Sequence, residues 1–317
     1  MPSRYVFAAD LGGTKCATAV IDRSGRIVAH RVEAVDLSST TAPIEQICRL
    51  ARELAGEHPP KEAFAAAGVA VPGLVRRDGT VWAPNLPNWE RVAVRSRLRT
   101  KLKIPVVVES DRNAAVFGEC WKGAARGKAD VIVLIIGPGI GAGILSDARI
   151  LRGAHELSGC AGWMRIAGEQ SAVASQIGQL ESLCSGPAIA RNARRLLRTR
   201  PVGVLARMDQ ERLTAADVAR AARRGDPVAQ AVFTEMGTRL GIAVANVVSL
   251  LDPEIVVLAG GMTNALDLYL APLKKSMFSC AQPLSVRHVK LAVSKLGQFG
   301  NLLGCAWLAW KEAGSGR

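Results

Sequence analysis

Residues 4–22 have the sequence Arg4-Tyr-Val-Phe-Ala-Ala-Asp-Leu-Gly-Gly-Thr-Lys-Cys-Ala-Thr-Ala-Val-Ile-Asp22. Apolar and β-branched residues stand on both sides of a glycine pair, and glycine tolerates the positive φ that tight turns need. This pattern predicts two strands, Tyr5–Ala9 and Cys16–Ile21, joined by a turn at Gly12-Gly13. A third strand over Arg26–Glu33 would extend the pair into a meander.

The turn carries side chains suited to a phosphate and a metal ion. Glycine N–H groups can approach a phosphate closely, Thr14 adds a hydroxyl group and Lys15 adds a cation. The carboxylate of Asp10 can hold Mg2+ or the water shell of that ion. The spacing is not that of a P-loop, because the pattern strand, Gly-x-x-x-x-Gly-Lys, helix is absent. An ordinary Gly-Gly hairpin explains the same residues, so motifs further along the chain must decide.

Composition predicts a globular protein of two domains. The chain has 317 residues with 49% hydrophobic content, which is more than one typical core needs. No run of about eighteen apolar residues occurs, so the sequence predicts neither a membrane span nor a signal peptide, and we expect a cytoplasmic location. The seven cysteines are scattered without Cys-x-x-Cys pairs, which indicates reduced thiols rather than a disulfide framework.

The net charge of +14 favours acidic partners. Arginines are concentrated in the helical stretch Arg191–Arg224, which lacks interleaved aromatic residues and is interpreted as a solvated helix face. Phosphorylated small molecules fit the charge as well as nucleic acid does. Nucleic acid is the less favoured partner, because no helix-turn-helix segment precedes the first strand and no recognised RNA-binding module occurs.

A buried strand starting at Ile104 is predicted to pass directly into a helix that continues to Glu119, with Asp111 at the junction. This carboxylate can cap the helix, a role that Ser110 fills equally well. It can instead face a cleft and act as a general base, which a phosphate-type turn upstream in the same sheet makes a competing interpretation.

The second half of the chain repeats the opening pattern. The apolar strand Asp130–Ile136 is followed by the glycine-rich turn Gly137-Pro-Gly-Ile-Gly-Ala-Gly143 and by a strand that begins over Ile144–Asp147. Two such units predict two similar domains, each offering backbone amides to a ligand between them. Because no helix follows its glycines, the second turn is not a dinucleotide fingerprint.

Helices dominate the residues that follow. The apolar pattern predicts a helix over Ser182–Arg198 that bends or restarts at Pro187, and a long buried helix over Pro227–Leu251. A short strand then ends at a third glycine turn, Gly260-Gly261, which can approach a nucleotide. In the last predicted helix, Gly300–Ala313, two tryptophans serve either the core or an interface between subunits.

An ordered set of short motifs runs through nearly the whole chain. It comprises Asp10-x-Gly-Gly-Thr-Lys15, Val71-Pro-Gly73, Pro84-Asn-Leu86, Glu109-Ser-Asp111, Gly137-x-Gly-x-Gly141, Ser185-Gly186 and Asp252-Pro-Glu254 with Gly260-Gly261. In this order and spacing the set resembles the ROK family of sugar kinases and sugar-responsive repressors. The resemblance implies an α/β, duplicated actin-like ATPase fold of the ribonuclease H-like, hexokinase type, with two lobes around a cleft. It implies a smaller N-terminal lobe, residues 1–112 joined by the C-terminal helix 299–317, and a larger C-terminal lobe, residues 113–298.

The same resemblance implies an ATP-dependent carbohydrate kinase that uses Mg2+ and phosphorylates a hexose or hexose derivative, and homodimers are usual in the family. Asp111 matches the catalytic base that takes a proton from a sugar hydroxyl, usually O6, and Asp10 would hold Mg2+ through water. The residues matched to the ATP phosphates and nucleoside are Asp10, Gly12, Gly13, Thr14, Lys15, Gly137, Gly139, Gly141, Gly260 and Gly261. The residues matched to the sugar are Gly73, Asn85, Ser110, Cys160 and Glu181.

Several positions depart from the family pattern. Ser110 replaces a sugar-binding Asn, Cys160 a sugar-binding Glu, and Trp163 a His that ligates zinc. The three zinc-binding cysteines of the family are also absent, at Ala172, Ala174 and Gln179. Because zinc needs three or four sulfur or nitrogen ligands, we predict no structural zinc. Trp163 is then expected to be a core residue packed with the two alanines.

Three hypotheses follow, in order of preference. The first is an ATP-dependent kinase for a hexose unlike plain glucose, supported by Asp10, the paired glycine turns and Asp111. The second is a sugar- or nucleotide-binding relative without kinase activity, motivated by the changes at Ser110, Pro138 and Cys160. The third is a basic scaffold that binds nucleic acid through Arg191–Arg224.

Overall fold

The computed structural model describes residues 4–57, 64–166, 168 and 171–315. The strands are β1 (Tyr5–Leu11), β2 (Lys15–Asp22), β3 (Ile27–Ala34), β4 (Ala67–Val71), β5 (Leu74–Val75), β6 (Val81–Trp82), β7 (Val106–Ser110), β8 (Val131–Ile136), β9 (Ile140–Ser146), β10 (Arg149–Ile150), β11 (Ile255–Ala259) and β12 (Lys290–Val293). The helices are α1 (Ala42–Glu57), α2 (Val94–Leu102), α3 (Asp111–Lys122), α4 (Ala172–Ile177), α5 (Gln179–Cys184), α6 (Gly186–Thr199), α7 (Ala215–Arg223), α8 (Pro227–Leu251), α9 (Leu266–Cys280), α10 (Ser285–His288) and α11 (Gly300–Ser315).

The chain divides into two compact units. The first contains Met1–Gly127, Ile150–Ser158 and Lys295–Arg317, and the second contains Lys128–Arg149 and Gly159–Ser294. Helix α3 belongs to the first unit because it packs against α11, so the first segment of that unit extends beyond the predicted boundary at residue 112.

Each unit is built on a five-stranded sheet. The strand order is β3-β2-β1-β4-β7 in the first unit and β10-β9-β8-β11-β12 in the second. In both sheets the central strand forms an antiparallel hairpin with the strand that follows it, and a parallel pair on its other side. The two sheets therefore have equivalent topology, as the predicted duplication requires.

Apart from Asp10 near its end, strand β1 is apolar, because both of its faces are covered. Successive side chains of a strand point to opposite faces. Phe7 and Leu11 belong to the core that α1 closes, whereas Val6 and Ala8 belong to the core that α11 closes. The apolar side chains of β1 thus belong to two cores. This packing fixes the backbone that leads into the glycine turn.

Helices α3 and α11 approach each other closely at glycines. A Cβ on Gly304 would lie 1.8 Å from the carbonyl oxygen of Ala114, so no larger residue fits this crossing. The two tryptophans of α11 also pack inside the first unit. Trp307 stacks on Phe117 with ring centroids 4.6 Å apart, and Trp310 donates a hydrogen bond to the carbonyl oxygen of Asp22 at 3.2 Å.

The long helix α8 is the centre of the second core, and its predicted range is confirmed. Asp226 caps its first turn by accepting hydrogen bonds from the N–H groups of Val228 at 3.0 Å and Ala229 at 2.9 Å. Gly237 lets α9 approach, because a Cβ there would lie 2.5 Å from the carbonyl oxygen of Tyr269.

Two elements of the second unit differ from the sequence predictions by more than two residues at one end. Strand β9 begins at Ile140 rather than near Ile144, because Gly137-Pro138-Gly139 is enough to make the turn, and Gly141 already pairs with Ile135 in the ladder. The helix predicted over Ser182–Arg198 is instead two helices, α5 and α6, and the break falls at Ser185, whose extended backbone separates them two residues before Pro187. Among the helices of the described ranges, none combines the length and apolar character needed to cross a bilayer.

Candidate active site

The glycine turn after β1 forms part of a cavity in the first unit. The N–H of Gly12 donates to the carbonyl oxygen of Lys15 at 2.8 Å, which closes the turn. The cavity has a volume of about 290 Å3, and Asp10, Gly12, Thr14 and Lys15 all line it. Four residues matched to the ATP phosphates and to Mg2+ are therefore brought together.

Asp10 lies in β1, opposite Ala17 of β2. Its Oδ2 accepts a hydrogen bond from Nδ2 of Asn301 at 3.1 Å. Burial and then the negative charge of Asp111 raise the pKa of Asp10 to about 7, whereas the Asn301 hydrogen bond acts in the opposite direction. No Lys or Arg of the described ranges forms an ion pair with this carboxylate, so its negative charge is not compensated.

Asp111 is the first residue of α3. The cap of this helix is Ser110, whose side chain accepts from the N–H of Asn113 at 3.4 Å. The Oδ1 of Asp111 accepts from the N–H of Arg112 at 2.8 Å, and burial raises the pKa of the Asp111 carboxyl group. Of the two roles left open by the sequence, the capping role falls to Ser110.

Glu109 is a buried carboxylate for which the sequence predicts no role in the site. Arg152 donates from Nη1 to its Oε1 at 3.1 Å and from Nη2 to its Oε2. The same Oε1 accepts from the N–H of Ser110 at 2.9 Å and from Nδ2 of Asn113 at 3.0 Å. These bonds fix the end of β7 just before Asp111. Arg152 gave no sequence signal, because it stands 43 positions after its partner.

Two further predicted sugar residues belong to the first unit. Gly73 has a φ of +89°, and a Cβ there would lie 2.2 Å from the carbonyl oxygen of Trp82, so glycine is required. A Cβ on Gly13 would lie 3.4 Å from that of Asn85. The structure thus places Asn85 against the turn that follows β1.

The second glycine turn is held by Glu181 within the second unit. The Oε2 of Glu181 accepts from the N–H of Ile140 at 2.7 Å, and burial raises the pKa of its carboxyl group. A Cβ on Gly139 or on Gly162 would lie 3.0 Å from the same oxygen. Glu181 therefore lies between the predicted phosphate turn and the segment that contains Cys160.

The third glycine turn follows β11. Gly260 has a φ of +90°, and a Cβ there would lie 2.4 Å from the carbonyl oxygen of Ile136 at the end of β8. The third glycine turn therefore packs against the end of β8, directly before the second glycine turn. A Cβ on Gly261 would have no heavy atom within 4 Å, which leaves one side of the turn open.

The altered sugar and zinc segment contradicts one expectation. Trp163 is 57% exposed, so it is not a core residue, whereas Ala174 is buried. The short 3-10 helix Ala161–Trp163 follows Cys160 and turns the indole outward. Within the described part of the chain, no group of three or more His, Cys, Asp or Glu side chains is arranged to hold a metal ion. The absence of zinc stays a prediction.

The chain belongs to the ROK family, whose sequence profile matches residues 6–312. It is 29% identical to a glucokinase of Halalkalibacterium halodurans, over 99% of this chain and 98% of that protein. It is 28% identical to a putative xylose repressor of a Caldicellulosiruptor species, over 95% of this chain and 76% of that protein. The family thus contains both kinases and repressors.

The fold is similar to that of a solved ROK family glucokinase from Streptomyces griseus, determined in complex with glucose and AMPPNP. The TM-score is 0.79 with 29% sequence identity, and the match covers 97% of this chain and 99% of the other. The predicted α/β fold of the actin-like ROK kinases is confirmed by this similarity together with the two equivalent sheets.

Proposed function

We propose that this protein transfers the γ-phosphoryl group of ATP to O6 of a hexose or hexose derivative, with Asp111 as the general base. The observation that carries the proposal is a pair of desolvated carboxylates: Asp10 lines the cavity at the first glycine turn, and the charge of the buried Asp111 acts on it. A carboxylate whose pKa is raised by burial takes up a proton more readily than an exposed one. Phosphoryl transfer needs little beyond such a base, a metal ion and in-line positioning.

Asp10 fits the role of a Mg2+ ligand that acts directly or through water. Mg2+ is commonly held by one or two carboxylates together with substrate phosphates. The neighbours of Asp10 are the neutral Asn301 and the like-charged Asp111, so a bound cation would relieve the unfavourable charge. When bound, the ion neutralises charge that develops on the phosphates.

The glycine turns are assigned to the nucleotide. The Gly13 N–H, the Thr14 hydroxyl and the Lys15 ammonium group would bind the phosphates, as would the N–H groups at Gly139 and Gly141. The N–H groups of Gly12 and Gly137 would instead shape the two turns, because they donate to the carbonyl oxygens of Lys15 at 2.8 Å and of Gly139 at 2.9 Å. The turn at Gly260-Gly261 would lie beside the nucleoside. Pro138 has no N–H, so the second turn offers one donor fewer than a turn with another residue there.

The sugar is assigned to Gly73, Asn85, Ser110, Cys160 and Glu181. Ser110 is shorter than Asn and offers no amide group, and Cys160 has no carboxylate to accept from a sugar hydroxyl. Recognition near C1 and C2 should therefore differ from that of glucose, and Glu181 remains as the acceptor on that side. The proposed substrate is a hexose derivative such as an amino sugar or glycoside.

A sugar- or nucleotide-binding protein without turnover is the second candidate. The exposed Trp163 favours it, because a bulky indole stands where the family has a histidine. A relative named as a putative xylose repressor supports this candidate.

The test is an ADP-release assay with ATP, Mg2+ and a panel of hexoses, amino sugars and glycosides. The wild-type protein should turn over at least one sugar, and Asp111→Asn should reduce kcat by about 10²–10⁴-fold. Asp209→Asn, which changes an exposed carboxylate, is the matched control and should retain full activity.

Turnover that survives in Asp111→Asn would contradict the assignment of the base. Sugar binding by calorimetry without ADP release in the wild type would favour the second candidate. Mass spectrometry and NMR of the product identify the phosphorylated hydroxyl, and a phosphate on any atom other than O6 would contradict that part of the proposal.

A further inference from the structure

Asn301 provides the hydrogen bond that orients the Asp10 carboxylate. Its Nδ2 donates to Oδ2 of Asp10 at 3.1 Å, across 291 positions of sequence. In the described ranges, this is the one side-chain hydrogen bond that reaches Asp10. None of the motifs recognised in the sequence includes Asn301, so the contact is a property of the fold.

The backbone that carries Asn301 is fixed by close packing. Asn301 is the second residue of α11, and that helix is held against α3 where a Cβ on Gly118 would lie 2.2 Å from the carbonyl oxygen of Gly300. One turn later, Sγ of Cys305 donates to the carbonyl oxygen of Ala9 at 3.4 Å. The amide group therefore reaches Asp10 from a rigid helix that is attached to the neighbouring residue of β1.

A neutral donor suits a carboxylate that must bind a cation. The amide occupies one oxygen and leaves Oδ1 available, and it supplies no positive charge of its own. A Lys or Arg in the same place would form an ion pair with Asp10 and compete with a metal ion. Hydrogen bonds to ligating carboxylates also fix their orientation, and their loss commonly weakens metal binding by about 10–100-fold.

We infer that Asn301 is a positioning residue that holds Asp10 for the divalent cation of the nucleotide. This inference rests on the proposed function and adds to it a residue that acts through Asp10. It concerns Mg2+ use and not recognition of the sugar.

Two variants separate the hydrogen bond from packing. Asn301→Leu keeps a similar volume and removes the donor, whereas Asn301→Ala removes both. Asn192→Ala is the matched control, because Nδ2 of Asn192 donates to the carbonyl oxygen of Leu183 at 3.1 Å in the second unit. The affinity for ADP is measured by calorimetry with 5 mM Mg2+ and with EDTA, at about pH 8.

We expect Asn301→Leu and Asn301→Ala to weaken ADP binding in Mg2+ by about tenfold, and to leave binding in EDTA unchanged. In the kinase assay, the Mg2+ concentration for half-maximal rate should rise by a similar factor, with the KM for the sugar unchanged. Asn192→Ala should change none of these values.

The inference is overturned if Asn301→Leu binds ADP in Mg2+ as the wild type does, or if binding in EDTA falls equally. It is also overturned if the wild type binds ADP no better with Mg2+ than without it. Should the wild type phosphorylate no sugar, the proposed function fails, and the ADP measurements still decide the role of Asn301.

Discussion

Arg152 donates two hydrogen bonds to the buried carboxylate of Glu109, one from each terminal nitrogen of its guanidinium group. Glu109 stands two residues before Asp111. The side chain of Glu109 is 3% exposed and that of Arg152 is 39% exposed. Both belong to the first unit, although Arg152 lies on the segment that returns to it after β10. The pair therefore holds that segment against the end of β7, and Asp111, the proposed base, is the residue that follows this strand.

Removal of Arg152 should destabilise the protein, because it leaves a buried carboxylate without its cation. We expect Arg152→Ala to lower the free energy of unfolding by about 2 kcal/mol, below the range for fully buried pairs, since the guanidinium is partly solvated. Combining it with Glu109→Gln should recover part of the loss. Urea unfolding of both single variants and the double variant measures the coupling, and strictly additive losses would contradict it.

Asp10 should make the ligand-free protein less stable at higher pH. Its pKa in the folded protein is about 7, against an ordinary value of 3.8, so folding favours the protonated form. This contribution is fully present below pH about 4 and is lost as the pH rises through about 7.

The matching variant is Asp10→Asn, which cannot titrate. Without Mg2+ at about pH 8, we expect it to be more stable than the wild type by about 2 kcal/mol, because Asp10 lines a cavity and its desolvation is partly relieved. At pH 4 the two should be equally stable. Urea unfolding at both values is the measurement, and an equal pH dependence of the two proteins would show that Asp10 does not titrate as described.

The crossing of α3 and α11 should not tolerate a side chain at Gly304. The clash with the backbone of Ala114 predicts that Gly304→Ala lowers the free energy of unfolding by about 3 kcal/mol or more. Gly314→Ala is the control on the same helix, because a Cβ there meets no heavy atom within 4 Å. Since alanine is the better helix former, that variant should be stabilised by up to about 1 kcal/mol in thermal unfolding. Similar stabilities for the two variants would contradict the described packing.

Trp163 should affect the sugar rather than the fold. Because the side chain is 57% exposed, Trp163→Ala should change the free energy of unfolding by no more than about 0.5 kcal/mol. We expect the same change to alter the KM for the sugar at least threefold while the KM for ATP stays constant. A large loss of stability would show that Trp163 contributes to the core. Unchanged sugar kinetics would show that it does not contribute to the sugar site.

The elements with continuous local patterns could be predicted from the sequence. The first hairpin and α8 are largely apolar along their length, with clear ends at Gly12-Gly13 and Asp252. The predicted start of β9, near Ile144, lies four residues after its observed start at Ile140. Glycines inside a strand resemble those of a turn in sequence, and only the pairing with β8 distinguishes them. The local pattern at Trp163 likewise could not show which way a short 3-10 helix turns its side chain.

The candidate site was predictable where its residues form motifs. Asp10, Asp111 and the glycine turns stand in short conspicuous segments. Arg152 and Asn301 could not be found in this way, because each meets its partner through tertiary packing and has no local signal. Residues that support a site from distant positions are visible only once the sheets and helices have been assembled.

The most direct test of the account is the rate of phosphoryl transfer from ATP to the best sugar of the panel, in the wild type and in Asp111→Asn. Purified proteins of equal stability are compared under single-turnover conditions, at saturating nucleotide and Mg2+. The account predicts a sugar 6-phosphate from the wild type and a transfer rate at least about 100-fold lower in the variant. Equal rates for the two proteins, or no transfer to any sugar by the wild type, would contradict it.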